Sequence, residues 1–152
     1  MIVESRSVKQ TEQIAAEFAR SLQGGECIAL CGEMGAGKTH FVRGLLAGLG
    51  GDPNSVSSPT FVLLNVYDSG RLRVFHLDAY RVGGADDFEA IGFTELLEQN
   101  GVVVVEWPER VERILPDNRI DIRLESTGIK QRRLTFENHP HPHPLPEYRE
   151  RE

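Results

Sequence analysis

At 152 residues, with 39% apolar and 26% charged residues, the chain has the length and composition of one globular domain with a full hydrophobic core. A formal net charge of -6 leaves no basic footprint for tight unaided binding of RNA or DNA, so any nucleic acid contact is expected to be shared with partners. No apolar run approaches a membrane span and Met1 to Lys9 lacks the shape of a signal peptide, so no membrane contact and a cytoplasmic address are expected.

A short extended segment opens the chain. Thr11 is then placed to cap a helix carrying Ile14, Phe18 and Leu22 on one face, with Gly24-Gly25 ending it. Cys27 to Cys31 reads as a short buried strand. Its two cysteines share a face, sit too far apart to bridge, and read as small buried residues in a reducing compartment. The run Gly32-Glu33-Met34-Gly35-Ala36-Gly37-Lys38-Thr39 follows at once and fits G-x-x-x-x-G-K-[ST], the phosphate-binding loop pattern. Thr39 to Leu49 then repeats Phe41, Leu45 and Leu49 at four-residue spacing, an amphipathic helix. Strand, loop and helix thus stand in the order such a loop requires.

Gly50-Gly51-Asp52-Pro53 stops that helix, and the polar stretch to Ser58-Pro59 reads as a loop entering a strand over Thr60 to Tyr67. The turn Asp68-Ser69-Gly70 returns the chain into Arg71 to Asp78, predicting an antiparallel hairpin where this superfold usually has strand-helix-strand. One helix is expected over Asp86 to Leu97, with Phe88, Ile91 and Leu96 or Leu97 inward. Val102 to Val105 is apolar at consecutive positions and predicts a strand buried on both faces at the sheet centre. Arg119 to Glu125 and Arg133 to Glu137 alternate apolar and charged residues, predicting a half-exposed hairpin at one edge. From Asn138 the composition turns to His-Pro repeats. Residues 1–137 are therefore expected to form the domain and 138–152 an extended, mostly disordered tail, with His139, His141 and His143 solvated. The fold class expected is α/β: a single P-loop NTPase-like domain, a mixed central sheet with flanking helices and antiparallel hairpins.

The loop carries the first chemistry. Gly32, Met34, Gly35, Ala36 and Gly37 supply backbone N–H groups to phosphates, Lys38 a point charge to the outer phosphates, and Thr39 a hydroxyl ligand for magnesium. The positive end of the following helix adds to the field. The aliphatic stem of Lys38 is not expected in the core. Hydrolysis also needs a carboxylate to hold the ion and a group to position water. Asp78 and Glu106 each end a strand, and in an open α/β sheet those ends face the nucleotide crevice, so both should converge on it. A carboxylate directly after four valines is costly unless it has a partner. Which of the two is the main magnesium carboxylate stays open. Thr60, in Ser57-Ser58-Pro59-Thr60, is placed to order over the γ-phosphate as switch loops do. Trp107, the only tryptophan, is either core packing or a ring offered to a partner. Arg81 and the pair Arg132-Arg133 are candidate charges for phosphate or RNA.

Gly32 to Thr39, Ser58-Pro59-Thr60, His76-Leu77-Asp78-Ala79-Tyr80-Arg81 and Val105-Glu106-Trp107-Pro108, in this order and spacing, closely resemble the TsaE (formerly YjeE) family of bacterial ATPases. The likeness covers about residues 7 to 136. It implies an ATPase with ATP and Mg2+ as cofactors, supporting formation of threonylcarbamoyladenosine beside the tRNA anticodon. It further implies TsaB and TsaD as partners, with tRNA reached indirectly and the carbamoyl transfer left to TsaD. By the same resemblance Lys38 and Thr39 hold phosphate and magnesium, Glu106 helps hold the ion, and Asp78 acts in hydrolysis or on the metal. Val8 lies near the adenine, and Trp107, Tyr80 and Arg81 serve partner contact or coupling. His40 departs from the second threonine or serine of many members, which touches tuning more than chemistry.

Three other readings use the same loop. A small-molecule kinase would need a lid and an acceptor pocket, and no inserted segment is long enough for an obvious lid. A GTP switch would need an Asn-Lys-x-Asp motif, yet the only lysines are Lys9, Lys38 and Lys130. A nucleotide-gated scaffold would bind ATP with hydrolysis incidental.

Overall fold

The computed structural model of the chain describes residues 1–57, 63–81 and 84–138, with the main chain alone at Arg81. Its elements are β1 (Ile2–Ser5), α1 (Val8–Ala19), β2 (Cys27–Gly32), α2 (Lys38–Gly48), β3 (Leu64–Tyr67), β4 (Val74–Asp78), α3 (Ala85–Ala90), α4 (Phe93–Leu97), β5 (Val102–Glu106), β6 (Ile120–Ser126) and β7 (Arg132–Asn138). Short 3-10 turns lie at Pro53–Ser55, Ala79–Arg81 and Pro108–Ile114.

The strands form one seven-stranded sheet in the order β1-β7-β6-β2-β5-β4-β3. Its centre is parallel, from β6 through β2 and β5 to β4. Antiparallel pairs flank it, β6 with β7 and β7 with β1 on one side, β4 with β3 on the other. This is the mixed sheet with hairpins expected of a P-loop NTPase-like domain. The four valines of β5 explain its central place. Val102 and Val104 face the core under α1 and α2 with Ile28, Leu30 and Ile122, while Val103 and Val105 face the core of α3 and α4 with Phe75, Leu77 and Phe93. A strand alternates its side chains, so only one covered on both sides can be apolar at every position.

The helices α1 and α2 pack at close range because α2 offers two glycines to α1. A Cβ on Gly44 would stand 2.2 Å from the Glu12 carbonyl oxygen, and one on Gly48 2.4 Å from that of Ala16. Phe41 and Leu45 are buried as expected, and Phe18, Phe41 and Phe136 stack at tilted angles around them.

Several boundaries differ from expectation. Ser7, not Thr11, caps α1 by accepting from the Gln10 N–H, while the Thr11 hydroxyl is buried in a 2.7 Å bond with Ser5 Oγ. Ser7-Val8-Lys9-Gln10 is itself an S-x-x-Q start signal, and Gln10 reaches back to accept from the Arg6 N–H. The single helix over Asp86 to Leu97 is two, α3 and α4, broken where Gly92 takes a left-handed φ of 94°. The Glu89 carboxylate accepts from both the N–H and hydroxyl of Thr94 across that break. The hairpin of β6 and β7 is not at the edge, because the N-terminal segment pairs with β7 as β1 and takes the edge itself. Thr60 and residues 139–152, with His139, His141 and His143, lie outside the described residues.

Candidate functional site

The G-x-x-x-x-G-K-[ST] loop joins the end of β2 to the start of α2. Its glycines answer two needs. Gly35 and Gly37 have φ of 84° and 103°, where a side chain would be strained, and a Cβ on Gly32 would come 2.9 Å from the Leu124 carbonyl oxygen of β6. Arg132, from β7, holds the loop from outside: its Nε donates to the Ala36 carbonyl at 3.0 Å and its Nη2 to that of Gly35 at 3.2 Å. A trans peptide sends its C=O and the next N–H to opposite sides, so anchoring the Ala36 carbonyl turns the Gly37 N–H away from Arg132.

Lys38 folds back across this loop. Its ammonium donates to the Gly32 carbonyl at 2.7 Å, stands 3.9 Å from Glu106 Oε1, and lies 4.1 Å over the centre of the Trp107 ring. Contrary to expectation, Lys38 is buried, its ammonium held against the Trp107 ring and the ends of β2 and β5.

The strand register brings the carboxylates together. Glu106 pairs with Leu30 of β2 on one side and with Asp78 of β4 on the other, at the carboxyl ends of parallel strands. Both carboxylates are buried, and both have partners. Asp78 Oδ1 accepts from the Tyr80 N–H at 2.8 Å. Glu106 Oε2 is 2.7 Å from His76 Nε2, a histidine with no exposed surface. That pair supplies the partner the position demanded. His76 stands in the run His76 to Arg81 without an expected role of its own; the signal for one is a histidine inside an otherwise apolar strand that must be covered on both faces.

A cleft of about 590 Å³ gathers most of the expected site residues. Val8, Met34, Gly35, Gly37, Lys38, Thr39, Asp78, Tyr80, Glu106 and Trp107 line it, with Thr11, His40, Lys130 and Arg132. Gly32 and Ala36 stand behind the wall, the first holding Lys38 through its carbonyl and the second buried. Thr60 and the Arg81 side chain lie outside the described residues, although Arg81 closes the 3-10 turn that carries Tyr80. Trp107 is half-buried, with a left-handed φ of 58°, and packs under Lys38 and beside the exposed Tyr80, ring centres 5.1 Å apart. Arg110 in turn lies over the Tyr80 ring, 4.9 Å from its centre. Of the expected Arg132-Arg133 pair, Arg133 instead bonds Glu4 across the β1–β7 edge at 2.9 Å.

The donor set fits magnesium. Among the described residues no group of three or more His, Cys, Asp or Glu side chains could cage an ion, whereas Thr39, Asp78 and Glu106 offer a few hard oxygens in one cleft. Magnesium keeps several waters and takes the rest of its shell from phosphates, so few protein oxygens suffice. The cysteines lend nothing to this chemistry. Burial pushes the Cys27 thiol up to about 12, and burial with the nearby Glu109 carboxylate also raises Cys31.

Comparison with known proteins agrees with this geometry. The family described as "Threonylcarbamoyl adenosine biosynthesis protein TsaE" matches residues 5–134. The chain is 41% identical over 131 residues to the tRNA threonylcarbamoyladenosine biosynthesis protein TsaE of Treponema pallidum, covering 86% of this chain and 96% of that one. It is 37% identical over 128 residues to the Bacillus subtilis protein of the same name, covering 84% and 79%. The crystal structure of Bacillus subtilis YdiB superposes with a TM-score of 0.76 at 29% identity, over 92% of this chain and 86% of that one. With its sheet, its loop and its sequence in agreement, the chain belongs to the TsaE family of tRNA threonylcarbamoyladenosine biosynthesis proteins.

Proposed function

We propose that the protein binds Mg-ATP in the cleft at the carboxyl ends of β2, β4 and β5, and hydrolyses it to support tRNA threonylcarbamoyladenosine modification with TsaB and TsaD. The observation that carries this is the convergence of Lys38, Thr39, Asp78 and Glu106 on one cleft at the head of α2. Magnesium held by Thr39, Asp78 and Glu106 would supply positive charge to neutralise the outer phosphates. The loop N–H groups and the N-terminus of α2 cradle the phosphate chain. Lys38 leaves the Gly32 carbonyl to reach the outer phosphates, and Thr39, Glu106 and Asp78 supply oxygens to the ion. Asp78 or Glu106 orients the attacking water. Val8, which lines the cleft, contacts the base.

The isolated chain is expected to be slow. Lys38 is held by a carbonyl, a carboxylate and an aromatic face, and each must be given up for the phosphates. Tyr80, Arg81 and Trp107 are the proposed contacts through which TsaB and TsaD complete a water-excluding site, and tRNA is reached only through them. The domain is taken to end with β7 at Asn138, one residue later than expected, with 139–152 a tail, and the protein to work in the cytoplasm; among the described residues no helix is long and apolar enough to cross a membrane. The test is to purify the protein with TsaB and TsaD and follow ATP hydrolysis and tRNA modification together. Phosphate transfer to a small acceptor without those subunits would favour a kinase instead.

A further inference from the structure

We propose that His76 is a positioning residue that turns a single oxygen of Glu106 toward the nucleotide cleft. This rests on the reading of Glu106 as a carboxylate of the Mg-ATP site. His76 and Asp78 are two apart on β4 and so share a face of the sheet, and the in-register pairing of Asp78 with Glu106 puts Glu106 on that face too. His76 has no exposed surface and does not line the cleft, so it cannot touch a nucleotide itself. Its Nε2 engages Glu106 Oε2 at 2.7 Å, which leaves Oε1, the atom 3.9 Å from the Lys38 ammonium, as the oxygen free to serve the cleft.

The imidazole is itself fixed from its other side. Nδ1 is 3.2 Å from the Tyr67 hydroxyl, and the two rings lie 5.9 Å apart. That hydroxyl also bonds the Ser57 main chain, donating to its carbonyl at 2.9 Å and accepting from its N–H at 3.3 Å. The ring therefore cannot rotate without breaking bonds at both nitrogens, and the chain Ser57–Tyr67–His76–Glu106 is a continuous buried brace. An apolar residue at 76 would satisfy the packing of β4 equally well, but it would leave Oε2 without a donor and the carboxylate free to turn. Partners one shell removed from a metal act in this way, by fixing the orientation of the group that binds.

The test measures, by calorimetry on the full chain, how much Mg2+ is needed to tighten ATP binding. His76→Phe should raise that requirement about tenfold or more, the scale on which such supporting partners act. His76→Gln, which keeps an N–H donor near Oε2, should restore most of the loss, and Tyr67→Phe should show a smaller effect of the same sign. If His76 acts through Glu106, His76→Phe adds nothing in a Glu106→Gln background. A wild-type requirement in His76→Phe, or effects that multiply in the double variant, overturns the proposal. Should His76→Phe fail to fold, the comparison of His76→Gln and Tyr67→Phe with Glu106→Gln decides on the same criterion. ATP binding that ignores Mg2+ in the unaltered chain counts against the magnesium reading instead. The brace is then judged by the imidazole nitrogen resonances of His76, which move on Glu106→Gln if the 2.7 Å bond exists and stay put if it does not.

Discussion

Lys38→Ala removes three contacts at once, and their sizes separate an effect on binding from an effect on folding. At 3.9 Å from Glu106 Oε1, the bare attraction is about 4 kcal/mol at an effective dielectric of 20. Desolvation of two buried charges offsets most of it, and Glu106 keeps His76, so the net loss of stability should be about 1 kcal/mol. For a chain of this length that is a fall in Tm of about 2–4 °C. A charge-assisted bond to phosphate is worth about 1.5–3 kcal/mol, or roughly ten- to a hundredfold in affinity. The lysine must first leave the Gly32 carbonyl and the Trp107 ring, whose cation–π contact is worth about 0.5–2 kcal/mol, so the lower end is expected. Calorimetry should show ATP binding weakened about tenfold in a protein that still unfolds cooperatively. Lys38→Met, which keeps an unbranched apolar chain of similar length, should lose affinity equally and stability less. Unchanged ATP affinity in either variant would show that the loop does not hold the phosphates.

Asp78→Asn keeps volume and the bond from the Tyr80 N–H but removes a charge from the cleft, so partner-stimulated hydrolysis should fall more than ATP binding; full turnover would remove Asp78 from the chemistry. Gly44→Ala should lower Tm with little effect on nucleotide affinity per folded molecule, because a Cβ there meets the Glu12 main chain at 2.2 Å and overpacking of this kind costs about 1–3 kcal/mol. An unchanged melting curve would mean α1 and α2 separate freely. Deleting residues 139–152 should leave Tm and ATP binding nearly unchanged, since a polar, proline-rich segment has little apolar surface to bury. A loss of several degrees would place the domain boundary further on.

The parts of the molecule that were legible beforehand are those written in short, local patterns. The loop announces itself by its glycines, lysine and threonine, and β5 by four valines that only a doubly covered strand can carry. The convergence of Asp78 and Glu106 on the crevice followed from one rule, that strand ends in a parallel sheet face it; that they pair in register is a finding of the structure. What was not legible depended on distant segments meeting. β1 offers only Ile2 and Val3 as a strand signal, and its pairing with β7 joins the two ends of the domain. Gly92 splits the helix expected over Asp86 to Leu97 because the chain there takes a left-handed turn closed by Glu89 and Thr94. His76 gains meaning only beside Glu106, thirty residues away, and the bonds of Arg132 to the carbonyls of Gly35 and Ala36 likewise join segments far apart in the chain. The start of α1 is by contrast local, an S-x-x-Q signal at Ser7 to Gln10 four residues ahead of the cap expected at Thr11.

The most direct measurement is the rate of ATP hydrolysis by the purified chain, alone and with TsaB and TsaD, with tRNA modification followed in the same reaction. Turnover should be slow alone, rise when both subunits are present, and fall with tRNA modification in Trp107→Ala, whose ring joins Lys38 to the exposed Tyr80. Fast hydrolysis by the chain alone, unaffected by TsaB and TsaD and untouched by Trp107→Ala, would contradict a site completed by its partners.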